Sequence, residues 1–203
     1  ETLCAFHRGA AVADAAAGLG RSAQVRAPVR DSLRALRTLC MAADAQAHLA
    51  VLERWEAAAF DALREVFDER LRDGWVRECH GDLHLGNVAQ WEGQTLPFDC
   101  LEFNESLRVI DVLSDVAFLC MDLMESGRSP LAYHFLSNYL EITGDYGGLP
   151  AWPLFIAYRA HVRAKVAHLT ASSAAMPGEA RDRLDTRRNH YLELAARALE
   201  KPR

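Results

Sequence analysis

One stretch in the middle of the chain departs from the helical pattern that surrounds it, and this departure constrains the fold most. From Trp75 to Phe103, short apolar runs are broken by Gly, Asn, Asp and Pro. Turn formers at that density do not continue a helix. On both sides of this island, apolar residues recur at helical spacing. The reading is mainly α with a small β-hairpin: a helical segment 1–74, an irregular segment 75–105 and a second helical segment 106–203.

Leu3, Phe6, Ala10 and Ala13 predict a helix from Glu1 to about Ala17, stopped by Gly18 and Gly20. The stretch from Gln24 to Arg30 contains Pro28 and reads as a connection. A second helix is expected from Asp31 and Ser32, carrying Leu33, Leu36, Leu39 and Cys40 inward. A third is expected from about Glu53 to Asp73, with Trp55, Phe60, Leu63 and Phe67 on one face and Gly74 closing it. Inside the island, Asn87–Trp91 and Thr95–Leu101 predict two strands joined across Glu92, Gly93 and Gln94. Helices are then expected at Leu107–Met124, Leu131–Glu141, Pro153–Leu169 and Glu179–Lys201, with 170–178 as a link.

Composition narrows the function classes. Half of the 203 residues are hydrophobic and a quarter are charged, so the chain can bury a core. The net charge of −5, with both signs interspersed, gives no footprint for nucleic acid or an anionic membrane. No apolar run approaches a membrane span, and no basic-then-apolar leader opens the sequence. The five cysteines (Cys4, Cys40, Cys79, Cys100 and Cys120) are scattered without a CxxC pair. They are expected to be reduced thiols in a cytoplasmic protein, with Cys79 and Cys100 in the core.

The island also carries the chemistry. Asp82 lies in a Gly-flanked loop, Asn87 follows on the same loop, and Asp99 lies beyond the hairpin. Phosphoryl transfer needs one carboxylate to orient the attacking hydroxyl and take its proton. It also needs a second carboxylate and an amide oxygen to hold magnesium against nucleotide phosphates. Oxygen donors suit that hard cation.

His80-Gly81-Asp82-Leu83-His84-Leu85-Gly86-Asn87 resembles the HGDxxxxN catalytic loop of the aminoglycoside phosphotransferase and choline kinase group, a branch of the protein-kinase-like fold. Phe98-Asp99-Cys100 resembles its metal-binding aspartate, and the stretch from Glu102 to Leu119, with Asp111 and Asp115, fits the same group. The likeness is strongest to bacterial aminoglycoside-phosphotransferase-like proteins of uncharacterised activity, some of them fused to a P-loop ATPase domain. The resemblance implies the C-terminal, helical lobe of a kinase-like α+β fold. It implies Asp82 as catalytic base, and Asn87 and Asp99 as ligands of Mg2+ and hence of the ATP phosphates. It also implies His80, Asp111 and Asp115 as supports, the last two bonding the loop's backbone amides. The implied partners are a nucleotide and a small molecule that accepts phosphate on a hydroxyl, with no nucleic acid or membrane.

The family's upper lobe supplies a glycine-rich loop, a strand lysine and a helix glutamate to the nucleotide. Before Trp75 the sequence offers no glycine-rich strand–turn–strand, and its two lysines are Lys165 and Lys201. It has no GxxxxGK[ST] either. The expectation is therefore a fragment whose nucleotide-binding lobe lies elsewhere, with a non-catalytic kinase-like scaffold or regulatory module as the alternative. A metallophosphoesterase reading of His80, Asp82 and His84 fails where Val88 follows Asn87, because that class needs a Gly-Asn-His element. Glu102, Glu105, Asp122 and Glu125 form an acidic group after Asp99, and Trp152, Tyr158, His161 and Arg163 are candidates to line an acceptor pocket or to sit in the core.

Overall fold

In a computed structural model, residues 1–39, 43–173 and 177–199 are described. Cys40, Lys201 and the middle of the 170–178 link lie outside them. The described residues form helices α1 (Thr2–Gly9), α2 (Ser22–Leu39), α3 (Ala43–Ala62) and α4 (Arg64–Arg72), then strands β1 (Val76–Glu78), β2 (Val88–Trp91) and β3 (Gln94–Pro97). The short α5 (Glu105–Arg108) and strand β4 (Val109–Asp111) lead into α6 (Val112–Glu125), α7 (Ser129–Thr143), α8 (Trp152–Ala171) and α9 (Gly178–Ala198). The chain is mainly helical, with two two-stranded antiparallel sheets, β1–β4 and β2–β3.

Helix α6 is the centre. Leu113, Val116, Ala117, Phe118, Cys120 and Met121 are all wholly buried, so it is apolar around most of its circumference, as a helix enclosed by others must be. It packs between α7 and α8; α8 in turn packs on α9 and α2. Leu36, Leu49, Phe60 and Phe67 bring α2, α3 and α4 into the same core.

Four boundaries differ from the sequence reading. Helix α1 stops at Gly9, and Val12 instead bridges Arg77 beside β1. Helix α2 runs straight through Pro28. An internal proline costs a helix about 3 kcal/mol. Here burial of Val29, Leu33 and Leu36, and a two-pronged bond from Arg26 to Glu56 of α3 (2.6 and 3.0 Å), offset that cost. The third helix is already present at Ala43 and breaks at Leu63, where ψ is near 4°. Finally, Val109–Asp111, expected to be helical, is extended and pairs with β1 (Val76 opposite Asp111, Glu78 opposite Val109). The β-branched Val109 and Ile110 favour that state, and their partner is too distant in sequence for local periodicity to reveal.

The hairpin lies at its expected place but is shorter, with its second strand ending at Pro97 rather than Leu101, and its turn is tighter. Glu92 and Gly93 both take positive φ (49° and 78°), and Gln94 already pairs with Trp91. Two consecutive left-handed residues match the right-handed twist of the strands.

Candidate active site

Strand β1 feeds the loop 79–87 directly onto the first turn of α6, which β4 aligns. Asp115, in that first turn, is wholly buried and accepts from the backbone N–H of His80 (3.0 Å) and of Gly81 (2.9 Å). Gly81 has φ of 83°, and a Cβ there would lie 2.8 Å from the Leu107 carbonyl, so only glycine fits this corner. On the far side of Asp115, His7 of α1 donates from Nε2 (3.2 Å), and its Nδ1 meets the Tyr139 hydroxyl of α7 (2.8 Å). Burial pushes the Asp115 carboxyl upward, but the bond and charge of His7, with Arg159 and the His80 N–H, outweigh it and hold it below the ordinary carboxylate range.

His80 threads the loop to the segment after the hairpin. Its Nδ1 accepts from Asp82 N (3.3 Å), which leaves Nε2 to donate to the Phe98 carbonyl (2.7 Å), while its own carbonyl takes Leu101 N (3.0 Å). Asn87 is buried and donates from Nδ2 to the Asp82 carbonyl (3.0 Å) and to its carboxylate (3.3 Å). The Asn87 carbonyl accepts Phe98 N (3.0 Å), so the residue before Asp99 is anchored to the residue facing Asp82. Asp99 is exposed and carries φ of 61°, an uncommon conformation for a residue other than glycine that Asp tolerates best. Phe98, the neighbour of Asp99, is thereby tied to both His80 and Asn87.

Two further residues close the loop. His84 accepts Gly86 N at Nδ1 (3.0 Å), turns Nε2 toward the Asp82 carboxylate (3.6 Å) and rests edge-on against Phe118. Burial, and then Arg163, lower its pKa, so the ring is neutral near pH 7. Asp122 of α6 accepts Leu85 N (3.0 Å) and the Tyr191 hydroxyl of α9 (2.9 Å).

Several site expectations change. Asp111 does not touch the loop amides: it caps α6 through Leu113 N (2.9 Å) and binds Arg70 of α4 (2.8 Å), which also holds Asp145 (2.8 Å). Its position at the end of β4 turns it away from the loop and toward α4. Cys100 is exposed rather than core, because the chain leaves the hairpin at Pro97 and turns over the surface; Cys79 is buried. The acidic group is dispersed. Asp122 is inward, Glu125 pairs with Arg187 (3.0 Å), and Glu102 and Glu105 are exposed.

The sequence reading missed Arg159. It is buried in α8, donates to the Ser114 carbonyl (3.0 Å) and the Gly81 carbonyl (3.1 Å), and lies 4.8 Å over the Phe118 ring. An arginine inside the apolar first half of this helix (Trp152–Ala160) was the available signal, since buried charge needs partners. A cavity of about 350 Å3 opens there, lined by Gly81, Asp82, Ser32, Tyr158, Arg159 and Lys165. Of the four candidates for such a pocket, only Tyr158 lines it. Trp152 borders another cavity, His161 is buried without a hydrogen-bond partner, and Arg163 reaches Tyr191. A separate, more apolar cavity of about 290 Å3 is lined by Leu3, Leu83, Val88, Pro97, Leu119 and Phe135.

Two donor sets are chemically able to hold a cation. Asp82, Asn87 and Asp99 carry hard oxygen donors, Asp99 exposed and Asn87 buried; the Asn87 side-chain oxygen accepts no hydrogen bond from the described residues, so the donor types suit magnesium. His7, Cys79 and Asp115 also have ligand atoms within 4.8 Å of one another, all buried. There both His7 nitrogens and both Asp115 oxygens are already engaged, and burial pushes the Cys79 thiol well up, so this group acts as a brace.

No family model matches the chain, and no solved structure matches it. Uncharacterized proteins of Mycobacterium tuberculosis (Rv2004c) and Mycobacterium bovis (Mb2027c) are 41% identical over 104 residues. The aligned part is 51% of this chain and 21% of each relative, so the chain matches about a fifth of the length of these relatives. Among the described residues, no helix is long and apolar enough to cross a membrane.

Proposed function

We propose that this protein is the catalytic, C-terminal lobe of a kinase-like phosphotransferase that moves the γ-phosphoryl group of ATP to a hydroxyl of a small molecule. The observation that carries the reading is the double grip of Asn87 on the Asp82 backbone and carboxylate, with the chain into Asp99 hung on the Asn87 carbonyl. It is supported by the resemblance of residues 80–87 and 98–100 to the aminoglycoside phosphotransferase loop.

Asp82 sits on the rim of the 350 Å3 cavity with its side chain 38% exposed, open to an incoming hydroxyl. Its carboxylate accepts the hydroxyl proton as that oxygen bonds to the γ-phosphorus and the bond to the leaving diphosphate breaks. Neutral His84 and the Asn87 amide orient the carboxylate, while Asp115 fixes the backbone beneath it. Asp99, with the Asn87 side-chain oxygen, would hold magnesium, which neutralises phosphate charge when bound. The apolar cavity lined by Leu83, Val88 and Pro97 offers a surface for a flat base.

Calorimetric titration with magnesium–ATP, compared with Asp99→Ala, tests the metal arm: binding should depend on magnesium and be lost in the variant. In an enzyme completed by its nucleotide-binding lobe, Asp82→Asn should lower acceptor-dependent turnover by about 10²–10⁴-fold with nucleotide binding retained. Unchanged turnover would remove Asp82 from its assigned role.

A further inference from the structure

The cavity beside Asp82 carries a charge pattern that the catalytic residues do not explain. Its wall comes from one stripe of α2 (Gln24, Pro28, Ser32), the loop corner at Gly81 and Asp82, and α8 with Arg159 and Lys165. Arg159 is 3% exposed and faces no carboxylate at ion-pair distance. Two of its nitrogens bond carbonyl oxygens, and Nη2 is buried without a partner among the described residues. Lys165, half-buried on the same helix, likewise has no ion pair or hydrogen bond among the described residues. Ser32 lines the same wall, 1% exposed, and its hydroxyl has no partner among the described residues. Asp31, the other acid on the wall, leans to Arg34 at 3.9 Å and is largely exposed.

Once Asp82 is assigned to the reacting hydroxyl, the inner wall of the cavity is left with the cations of Arg159 and Lys165, and Asp31 is the remaining acid, at its solvent-exposed edge. The acid that feels the Arg159 charge, Asp115, is already taken by His7 and two loop amides, so an arriving anion would add a partner to this buried guanidinium. The wall is also rich in groups that suit hydroxyls. Pro28 has no N–H, so the Gln24 carbonyl lacks its usual donor one turn on, and the Ser32 hydroxyl is free to donate or accept. A volume of about 350 Å3 is at the small end of ligand sites, the size of a single sugar ring or open-chain sugar acid.

We infer that the acceptor is a small polyhydroxylated anion, held by Arg159 and Lys165 through a carboxylate or phosphate while one of its hydroxyls meets Asp82. This rests on the phosphotransferase reading for the role of Asp82, but the anion preference can be measured without turnover. A cationic amine of the aminoglycoside or choline kind would place its charge against Arg159 and Lys165, so it is disfavoured here.

The test is calorimetric binding of gluconate, glucose 6-phosphate, glucose and kanamycin to the protein and to Lys165→Gln. Lys165 is half-buried and unpaired, so its substitution spares the core. At least one anion should bind about tenfold or more tighter than glucose, and Lys165→Gln should remove most of that advantage. The tighter of the two anions identifies the group as carboxylate or phosphate. Kanamycin binding as tightly as either anion, no anion binding at millimolar concentration, or an anion affinity indifferent to Lys165 would each overturn the inference. Magnesium–ATP titration of the same protein separates the two readings. Nucleotide binding with no anion preference sinks only the acceptor class, while anion selectivity that persists in a protein carrying its nucleotide-binding lobe and still showing no magnesium–ATP binding sinks the phosphotransferase assignment.

Discussion

Asp115 and Asp99 flank the same loop and are treated in opposite ways. Asp115 is wholly buried, and its oxygens receive two loop amides and a histidine drawn from a helix far away in sequence. Asp99 is exposed, carries no hydrogen bond from the described residues and sits in a left-handed backbone conformation. The donors of Asp115 stand behind the loop, whereas none from the described residues reaches Asp99. The contrast teaches that the rear acid holds shape while the front acid is free for a ligand, a division typical of sites whose backbone is fixed before the ligand arrives.

The largest effect expected from this contrast is at the rear. Asp115→Ala strands the His80 and Gly81 amides and His7, and should cost about 3–5 kcal/mol in denaturant unfolding. A loss below about 1 kcal/mol would break the comparison, because the rear acid would then be no more structural than the front one.

Acid should act on the buried side next. His161 is buried on α8 with neither ring nitrogen bonded, and burial pushes its pKa down from 6.5 to about 3. The unfolded chain therefore binds the proton more readily between those values, and stability falls as pH drops through that window, by up to about 1.4 kcal/mol per pH unit from this group. Asp115, held below the ordinary carboxylate range, stabilises above pH 3.8 and loses that contribution only as pH falls further. His161→Leu should flatten the fall between pH 6.5 and the carboxylate range, and unfolding measured across pH reads it; an unchanged slope in the variant would assign the acid sensitivity elsewhere.

At the front the expected stability change is small and of opposite sign. Asp99→Gly relieves the positive φ and should raise stability by up to about 1 kcal/mol while removing magnesium-dependent nucleotide binding. Thermal unfolding with and without magnesium–ATP reads both. A destabilised variant would mean that Asp99 is held for structure after all, and the contrast between the two acids would collapse.

How far the sequence reached follows from which contacts are local. The hairpin was readable because Gly93 and the flanking alternation act over a few residues, and α6 to α9 were readable because apolar spacing reports a buried face. Pro28 misled because a local rule was outvoted by burial of Val29, Leu33 and Leu36 and by the Arg26–Glu56 bond to the next helix. Val109–Asp111 misled because its strand partner lies on the far side of the island. At the site, Asp82, Asn87 and Asp99 stood out through residue type and spacing, whereas the true position of Asp111 against Arg70 and Asp145 did not, since α4 and the turn before α8 meet only in the folded chain.

By itself, then, the sequence determined a mainly helical chain broken once, and a loop whose Asp, Asn and Gly residues suit phosphate chemistry, because periodicity and turn preference are properties of neighbouring residues. The tertiary structure decided which acids point inward, that Arg159 and Lys165 stand unpaired beside Asp82, and that His7 and Tyr139 brace the loop from behind. Those choices depend on which distant groups share a desolvated space, where an unmet charge or hydrogen bond costs far more than it does in water.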